Sequence, residues 1–463
     1  MLRLYDTASR EIRPLETRDP GRVGIYVCGP TVYAAPHLGH GRFSLVWDVA
    51  RRWLHFSGLE VRYVSNITDI DDKIIARAAA EGLRETELCQ RHEAEWWATM
   101  ERLGVARPDV VPHATAYVAE MVVAIAEMLA RGVAYRAPEG VYFDVASVAD
   151  YGLLAHQDLA DLRAGARVET SEHKRSPLDF ALWKAAKPAE PSWEAPFGPG
   201  RPGWHTECVV MSLGLLGDGF DLHCGGLDLA FPHHENERAQ AEALGRPFAR
   251  HWGHNGFVMV GEDKMSKSLG NFTTLADLLA EHDPRAYRLL VLRSHYRRPI
   301  EVSPATVPDA ERALARLDAL ARRFDLPRLA GSRLERRDDH RLGPAGAAVL
   351  DAVTLQMDDD LDTPGAVATL FEALAAANGA ADRGEDDLAT DLARAVAVGF
   401  GALGLALEAH GGEVDAAARE LAAERDGARA RREWARADQL RDELVARGYV
   451  VEDAPTGTIL RRA

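Results

Sequence analysis

The chain contains little cysteine, with only four thiols in 463 residues. Cys28, Cys89, Cys208 and Cys224 stand far apart and form no C-x-x-C pair, which argues against a disulfide framework. A buried thiol is the simplest interpretation of each. Basic residues are also scarce, since 55 Lys and Arg face 71 Asp and Glu, for a net charge of −16. That charge disfavours non-specific adhesion to nucleic acid but is compatible with a local basic patch.

No segment is apolar enough to span a bilayer. The longest uncharged apolar run, Ala395–Leu407, has 13 residues and contains three glycines. The first residues, Met1–Asp6, include no apolar signal region. Hydrophobic residues make up 47% and charged residues 27%, which is typical of a globular protein of about three domains at this length. The sequence therefore predicts a soluble, cytoplasmic protein with no membrane partner.

The N-terminal part carries a β-α-β pattern. A β-rich run at 24–30 is followed by apolar residues at helical spacing over 43–56 and by a second strand at 60–68. Such a unit predicts an α/β fold with a Rossmann-like parallel sheet. The ligand site of that sheet is expected at the carboxyl ends of its strands.

The rest of the chain predicts further domains. Helical stretches, a strand at Gly140–Phe143 and a proline-rich tail interrupt the α/β rhythm before it returns near Phe220. An Ala-, Leu- and Arg-rich region follows, and His410–Gly412 is a hinge candidate. The predicted order is a catalytic domain in two halves (1–110 and 201–303), an inserted connective domain (111–200), an α-helical bundle (304–408) and a small C-terminal domain (409–463).

Two histidines, His37 and His40, stand between the first strand and the mouth of the predicted helix. The N-terminus of a helix offers unpaired N–H groups and a partial positive charge, so phosphate binds there. Gly39 lets the backbone approach closely, and two imidazoles three positions apart can both donate to phosphate oxygens. A pair of surface histidines is the alternative, but the placement between strand and helix favours a phosphate site.

Two lysines, Lys264 and Lys267, flank small polar residues in the string K-M-S-K-S at 264–268. Their ammonium groups can neutralise a polyphosphate, and the serine hydroxyls add hydrogen bonds. The alternative is a solvated surface loop. Because the string is specific and occurs together with H-L-G-H, a phosphate-binding loop is favoured.

A metal site is indicated by scattered thiol, imidazole and carboxylate side chains. His233 and Glu237 are four positions apart on a predicted helix and share one face, Cys208 precedes them, and Cys28 ends the first strand. Such ligands around one ion fit Zn²⁺. Rival ligands in the same region, among which spacing does not choose, are His234, Glu235 and Cys224.

Longer strings of this sequence match those of a known family. They are V-C-G-P-T-V-Y at 27–33, H-L-G-H at 37–40, N-I-T-D-I-D-D-K at 66–73, P-G-W-H-T-E-C at 202–208, F-P-H-H-E-N-E at 231–237 and K-M-S-K-S-L-G-N at 264–271. In these strings the chain resembles the cysteinyl-tRNA synthetases, which are class I aminoacyl-tRNA synthetases. The similarity continues into the tail at 434–438 and 448–458. Departures at Leu38 and Ala34-Ala35-Pro36 concern the loop and not the ligand set.

The resemblance implies ATP-dependent activation of cysteine, followed by transfer of cysteine to its tRNA. ATP is expected to carry Mg²⁺ on its phosphates. One Zn²⁺ per chain is implied, with ligands that correspond to Cys28, Cys208, His233 and Glu237. A monomer is the usual state of the family.

The same resemblance implies the other site residues. His37 and His40 correspond to the signature histidines that stabilise the triphosphate, and Lys264 and Lys267 to the mobile loop that holds pyrophosphate. These four residues are expected to be catalytic. Two further groups are implied, with Gly29, Thr31, Thr68 and Trp204 around the cysteine and Gly226 and Asp228 at the adenosine of ATP.

The C-terminal tail is implied to bind the anticodon. From Leu421 to Ala463 nine arginines stand against eight acidic residues, so this piece is about +1 and the rest of the chain −17. A solvated Arg- and Glu-rich helix explains that balance equally well. Candidates for stacking on unpaired bases are Trp434 and Tyr449. Both also suit a core, and a core position is favoured for Trp434.

Two other functions fit part of the pattern. The cysteine ligase of mycothiol biosynthesis uses the same adenylate and resembles the catalytic half, but the tail motifs favour the synthetase. A non-catalytic paralogue that senses cysteine or binds RNA would not need intact phosphate and metal motifs. Pyrophosphate exchange tests the paralogue hypothesis, and aminoacylation of a cysteine tRNA separates the two ligases.

Overall fold

The computed structural model of the chain describes residues 2–157, 173–259, 274–329, 334–335, 341–409, 416–454 and 457–462. The strands are β1 (Arg3–Asp6), β2 (Glu11–Pro14), β3 (Arg22–Val27), β4 (Glu60–Ser65), β5 (Ala134–Ala137), β6 (Gly140–Phe143), β7 (Phe180–Ala185), β8 (Gly200–Pro202), β9 (Leu222–Gly226), β10 (His251–Asn255), β11 (Val258–Met259), β12 (Ile300–Glu301), β13 (Tyr449–Ala454) and β14 (Gly457–Arg462).

The α-helices of the described residues follow the same chain order. They are α1 (Leu38–Phe56), α2 (Asp72–Glu81), α3 (Glu85–Arg102), α4 (Val118–Ala130), α5 (Trp204–Leu216), α6 (Glu235–Ala243), α7 (Leu275–Glu281), α8 (Pro284–Leu292), α9 (Thr306–Arg323), α10 (Pro344–Met357), α11 (Thr363–Asp382), α12 (Asp386–Ala402), α13 (Ala416–Ala430) and α14 (Trp434–Ala446). Among these described segments, none is both long and apolar enough to cross a membrane.

A four-stranded parallel sheet of order β10-β9-β3-β4 confirms the predicted α/β core. From β3 the chain passes through α1 to β4 on one side, whereas β9 and β10 lie on the other side of β3. The crevice beyond the carboxyl ends of β3 and β9 is therefore a topological switch point, where open α/β sheets bind their ligands. Beyond β3 and β4, Thr31 and Thr68 form an isolated bridge, so both strands end three residues earlier than predicted.

A second sheet, antiparallel and of order β5-β6-β7-β8, stands apart from the parallel sheet. Its core includes Phe143, Phe180 and residues of α4. The predicted strand at Gly140–Phe143 is confirmed. The carboxylate of Asp72, at the start of α2, pairs with Lys184 on β7 and Arg201 on β8, so ion pairs connect this sheet to the helix that follows β4.

Helices α9–α12 confirm the predicted helical bundle, and α8 precedes it. Asp283 caps α8 with its side chain and Pro284 occupies the first turn, as the Asp-Pro pair predicts. The small C-terminal unit consists of α13, α14 and the hairpin β13–β14, whose antiparallel pairing was predicted from the tail. The hinge candidate at 410–412 lies outside the described residues.

The prediction of a core position for Trp434 is wrong. Its side chain is 60% exposed, whereas Tyr449 is buried with only 2% exposed. The buried face of α14 is formed by Ala437, Leu440 and Leu444. Trp434 begins that helix and, at about 100° per residue, lies roughly 90° around the axis from the centre of this face. Apolar spacing in the sequence did not reveal this offset.

Candidate functional site

Four buried side chains converge at the switch point of the parallel sheet. Cys28 directly follows β3, Cys208 lies in α5, His233 lies in a π-type turn at 230–234 and Glu237 in the first turn of α6. None is more than 4% exposed. One ligand atom from each lies within 4.8 Å of the corresponding atoms of the others. The structure therefore brings together four residues drawn from three separate parts of the chain.

The spacing of these atoms fits a metal ion. The two sulfur atoms of Cys28 and Cys208 are 3.6 Å apart, the Cys208 sulfur is 3.7 Å from Nε2 of His233, and that nitrogen is 2.9 Å from Oε1 of Glu237. Two thiolates at about 2.3 Å from a tetrahedral zinc ion would be about 3.8 Å apart. Mixed sulfur, nitrogen and carboxylate donors suit Zn²⁺ better than Mg²⁺ or Ca²⁺, which prefer oxygen donors.

A second, overlapping set of potential ligands shares two of these residues. It consists of Cys28, His223, His234 and Glu237, and all four are buried. Among the rivals named from the sequence, His234 thus belongs to a candidate set. Glu235 pairs instead with Arg238, and Cys224 lies in β9 beneath Gly253, outside both sets.

The protonation states of the cluster also favour a cation. Burial raises the pKa of a carboxyl, yet His223 and His233 hold the pKa of Glu237 well below its usual range. Burial lowers the pKa of a histidine, but Glu237 raises that of His233 to about 10. Burial likewise raises the pKa of Cys208, but hydrogen bonds from Cys28 and His233 bring it to about 6. The Glu237 carboxylate and the Cys208 thiolate therefore face one imidazolium, that of His233, so the net charge of these three groups is negative.

His37 and His40 form a stacked pair at the start of α1. Their rings are 3.6 Å apart, at 20° to each other. His37 is the N-cap residue, and Nδ1 of each ring accepts the backbone N–H of the other residue, at 3.2 and 3.3 Å. Because Nδ1 accepts, the ring proton lies on Nε2, which is a donor. Burial lowers the pKa of both rings, to about 3 for His40, so both are neutral at pH 7.

The predicted lysines, Lys264 and Lys267, lie outside the described residues. The first described residue after them, Thr274, lies next to the histidine pair. Thr274 forms an antiparallel bridge with His37. Asp228, in the turn after β9, lies near enough to His37 to oppose the lowering of its pKa by burial. Gly226 ends β9 directly before this turn. Of the two predicted adenosine residues, Asp228 therefore lies near the histidine pair, and Gly226 precedes it by two positions.

The four residues predicted around the cysteine lie next to residues of the buried cluster or next to one another. The ring of Trp204 stacks on His233, with centroids 3.9 Å apart. Thr31 and Thr68 bridge the ends of β3 and β4, and the Thr68 hydroxyl donates to Glu207 at 2.8 Å. At Gly29 a Cβ atom would lie 1.7 Å from the carbonyl oxygen of Asn66, so only glycine fits there.

Sequence reasoning missed several polar residues around the cluster. His223 contacts Glu237 at 2.7 Å, and His254 contacts His234 at 2.8 Å. Nδ1 of His223 and Oε1 of Glu207 are buried without a hydrogen-bond partner among the described residues. A histidine in an otherwise apolar strand, Leu222-His223-Cys224, was the available signal for His223. For His254 no local signal exists, because its contact depends on the pairing of β10 with β9.

Family models match three stretches of the chain. The class I (C) catalytic domain of tRNA synthetases matches residues 14–312, a DALR domain matches 352–408, and the anticodon-binding domain of cysteinyl-tRNA ligases matches 411–461. The last match implies a tRNA partner.

Two solved structures share the fold at low identity. A Mycobacterium tuberculosis methionyl-tRNA synthetase bound to methionyl-adenylate has a TM-score of 0.59 at 17% identity, covering 82% of this chain and 90% of its own. An Agrobacterium radiobacter LeuRS in a ternary complex with tRNA and LeuAMS has a TM-score of 0.63 at 12% identity, covering 84% of each chain.

Curated relatives match from end to end. The cysteine–tRNA ligase of Methylobacillus flagellatus is 46% identical over 100% of both chains. The cysteine–tRNA ligase of Laribacter hongkongensis is 44% identical, again over 100% of both chains. Full-length identity at this level agrees with the sheet, the helical bundle and the buried cluster described above. The chain therefore belongs to the cysteine–tRNA ligase family of class I aminoacyl-tRNA synthetases.

Proposed function

We propose that this enzyme activates cysteine with ATP and then transfers it to the 3′ end of its tRNA. In the first step a carboxylate oxygen of cysteine attacks the α-phosphorus of ATP. The bond from that phosphorus to the bridging oxygen breaks, and pyrophosphate leaves with the electron pair. The observation that carries this proposal is the buried convergence of Cys28, Cys208, His233 and Glu237 beside the stacked histidines.

The histidine side of the crevice would bind the triphosphate. Negative charge moves onto phosphate oxygens during the attack, so hydrogen-bond donors that are already oriented stabilise the transition state most. His37 and His40 would donate through Nε2, and backbone N–H groups of the first turn of α1 add the partial charge of the helix. Because both rings are neutral, positive charge is assigned to Lys264, Lys267 and Mg²⁺ on the phosphates.

The cluster would hold Zn²⁺ through Cys28, Cys208, His233 and Glu237. When bound, zinc supplies a Lewis-acidic centre that deprotonates and ligates a thiol, which an alcohol resists because its pKa is far higher. The surrounding residues orient the amino acid and exclude water: Trp204 covers His233, and Gly29, Thr31 and Thr68 would border the substrate.

This arrangement accounts for selectivity between cysteine and serine. The two substrates differ by one atom, and an apolar pocket would separate them weakly. A site built around one polar interaction discriminates on the order of 10⁴-fold or more, which makes hydrolytic editing unnecessary. Serine-dependent pyrophosphate exchange by this enzyme is therefore expected to be at least about 10⁴-fold slower than cysteine-dependent exchange.

The C-terminal unit would read the anticodon. Trp434 is exposed at the start of α14, within residues 421–463, where nine arginines stand against eight acidic residues. Unpaired bases stack on such rings, each contact contributing about 1–3 kcal/mol. Tyr449 is buried in the core of this unit, so it is not available for stacking.

The decisive experiment replaces Cys208 with Ser and measures zinc content together with cysteine-dependent pyrophosphate exchange. We expect both to fall steeply. Cys89→Ser is the matched control, because Cys89 is also buried but contacts the carbonyl oxygen of Asp69, away from the cluster. Exchange at the wild-type rate in a zinc-free Cys208→Ser enzyme would refute the role of the metal. Failure of the wild type to aminoacylate a cysteine tRNA would refute the function.

A further inference from the structure

The first turn of α1 is held by a residue that the proposed function does not use. The hydroxyl of Tyr287, on α8, donates to the carbonyl oxygen of Leu38 at 2.7 Å. Leu38 stands between His37 and Gly39, so this bond acts on the backbone that carries the histidine pair. Tyr287 is fully buried. It also lies against Gly41, where an added Cβ atom would come within 3.0 Å of the ring.

The next residue on α8 reaches a different part of the molecule. The guanidinium of Arg288 is buried and pairs with Asp48 of α1 at 2.9 Å. It also donates to the carbonyl oxygens of Gly104 at 2.8 Å and Leu403 at 3.3 Å. Leu403 caps α12, the last helix of the bundle. Arg288 therefore joins α1, the end of α3 and the bundle at one point.

The surroundings of Arg288 leave little freedom for this junction. Asp48 also pairs with Arg52 at 2.8 Å and accepts the backbone N–H of Ala106 at 3.0 Å. At Gly404, which has a φ of +77°, an added Cβ atom would lie 2.5 Å from Nη1 of Arg288. A buried charge is tolerated only where hydrogen bonds and an opposite charge compensate for the loss of water. Displacement of Leu403 at the end of α12 would therefore leave N–H donors of Arg288 without an acceptor.

We propose that Tyr287 and Arg288 are positioning residues that connect the end of α12, in the helical bundle, to the first turn of α1. Since His37 and His40 cap each other's backbone N–H groups, the direction of their Nε2 donors follows that turn. Two adjacent residues of one short helix thus connect the helical bundle to the histidine pair. This inference rests on the proposed function of the histidine pair.

The first test removes one hydroxyl, in Tyr287→Phe, and measures cysteine-dependent pyrophosphate exchange by the full-length enzyme. Misplacement of oriented donors lowers the rate of the chemical step, so we expect kcat to fall about tenfold with an unchanged KM for cysteine. Tyr135→Phe is the matched control, because it removes a buried hydroxyl that donates to Asp179 at 2.7 Å in the antiparallel sheet. It should leave kcat unchanged. An unchanged kcat in Tyr287→Phe would overturn the inference.

The second test asks whether Tyr287 acts through the histidines. In a His40→Asn background we expect Tyr287→Phe to change kcat by less than about twofold, because residues that act on the same step are non-additive. The same tenfold fall in both backgrounds would overturn the inference. A wild type without exchange would refute the proposed function instead, so the two failures are distinguishable.

The third test addresses the bundle end. Arg288→Lys keeps a positive charge beside Asp48, but one ammonium group cannot reach the carbonyl oxygens of both Gly104 and Leu403. We expect kcat for exchange to fall several-fold without a change in the KM for cysteine, although exchange requires no tRNA. A lower melting temperature with an unchanged kcat would overturn the coupling to the bundle and leave Arg288 with a structural role only.

Discussion

The buried Cys28–Cys208–His233–Glu237 cluster and the histidine pair both follow the carboxyl end of β3 in the fold, yet they are built in opposite ways. In the cluster, Cys28 and Glu237 are 209 positions apart in the sequence and meet only in the folded chain, where the Cys28 sulfur lies 3.5 Å from Oε1 of Glu237. The histidines are three positions apart and orient each other within one helical turn. The cluster is buried and contains the ionised carboxylate of Glu237, whereas the histidine rings are neutral and less deeply buried.

This difference separates two kinds of functional residue. The cluster is a product of tertiary structure, so a change there should reduce stability and activity together. The histidine pair is a product of local helix capping, so a change that preserves the cap should reduce activity alone. A cluster variant that loses activity but keeps its stability would contradict this distinction. So would a histidine variant that keeps the cap but loses stability.

The largest effect is expected for Glu237→Gln. One carboxylate oxygen contacts His223 at 2.7 Å and the other contacts His233 at 2.9 Å, whereas an amide has a single acceptor oxygen and must turn its NH₂ group toward one of the two imidazoles. Breaking a buried pair in this way costs about 3–5 kcal/mol. We expect loss of that unfolding free energy, measured in urea, together with loss of zinc and a fall in exchange of about 100-fold or more.

A matched control is Glu242→Gln, on the same helix. Glu242 pairs with Arg238, but half of its side chain is exposed, so its loss should cost less than about 1 kcal/mol. Wild-type stability in Glu237→Gln would contradict the view that the cluster depends on the whole fold.

A smaller effect, confined to activity, is expected for His37→Asn. Asparagine is a good N-cap residue, so α1 should keep its first turn, but the Nε2 donor is lost. We expect kcat for pyrophosphate exchange to fall about 100-fold, with a melting temperature close to that of the wild type. His37→Ala removes the cap as well and should lose about 1 kcal/mol of stability in addition. Equal destabilisation by both variants would mean that the helix cap and the Nε2 donor of His37 cannot be removed separately.

The same contrast explains what the sequence predicts and what it does not. The parallel sheet and the position of His37 at the start of a helix follow from local patterns, because strand, loop and helix are contiguous. The cluster became predictable only through the family resemblance, since nothing in the spacing of Cys28, Cys208 and His233 excludes Cys224. The domain boundaries and the roles of Lys264 and Lys267 stay predictions.

Two residues show where local patterns fail. His254 contacts His234 because β10 pairs with β9, and strand order is a long-range property that the sequence alone does not contain. Trp434 is exposed although the sequence favours a core position for it. Its exposure depends on which face of α14 packs against the rest of the unit, and each residue along the helix rotates the side chain by about 100° around the axis.

A third prediction concerns the loss of folding stability at acidic pH that is due to His40. Burial lowers the pKa of His40 to about 3, below its value of about 6.5 in an unfolded chain. Between these values the unfolded state binds the additional proton, so the folded state loses stability as pH falls below about 6.5. This residue should contribute a loss of about 2 kcal/mol between pH 8 and pH 5. Urea unfolding at both pH values should show a correspondingly smaller loss in His40→Asn. An identical loss in both proteins would mean that His40 titrates normally.

The smallest effect is expected for Trp434→Ala, which extends the comparison to the tRNA-binding tail. An exposed ring contributes little to stability, so the melting temperature should hardly change. If the ring stacks on one unpaired base, its loss should raise the KM for tRNA about tenfold, equivalent to about 1.4 kcal/mol. Pyrophosphate exchange, which needs no tRNA, should stay at the wild-type rate. Trp434→Phe should restore part of the affinity, and Val445→Ala, at another exposed position of α14, should have no effect. A KM unaffected by Trp434→Ala would remove this residue from the tRNA interface, and its exposure would then be a surface feature without a role in recognition.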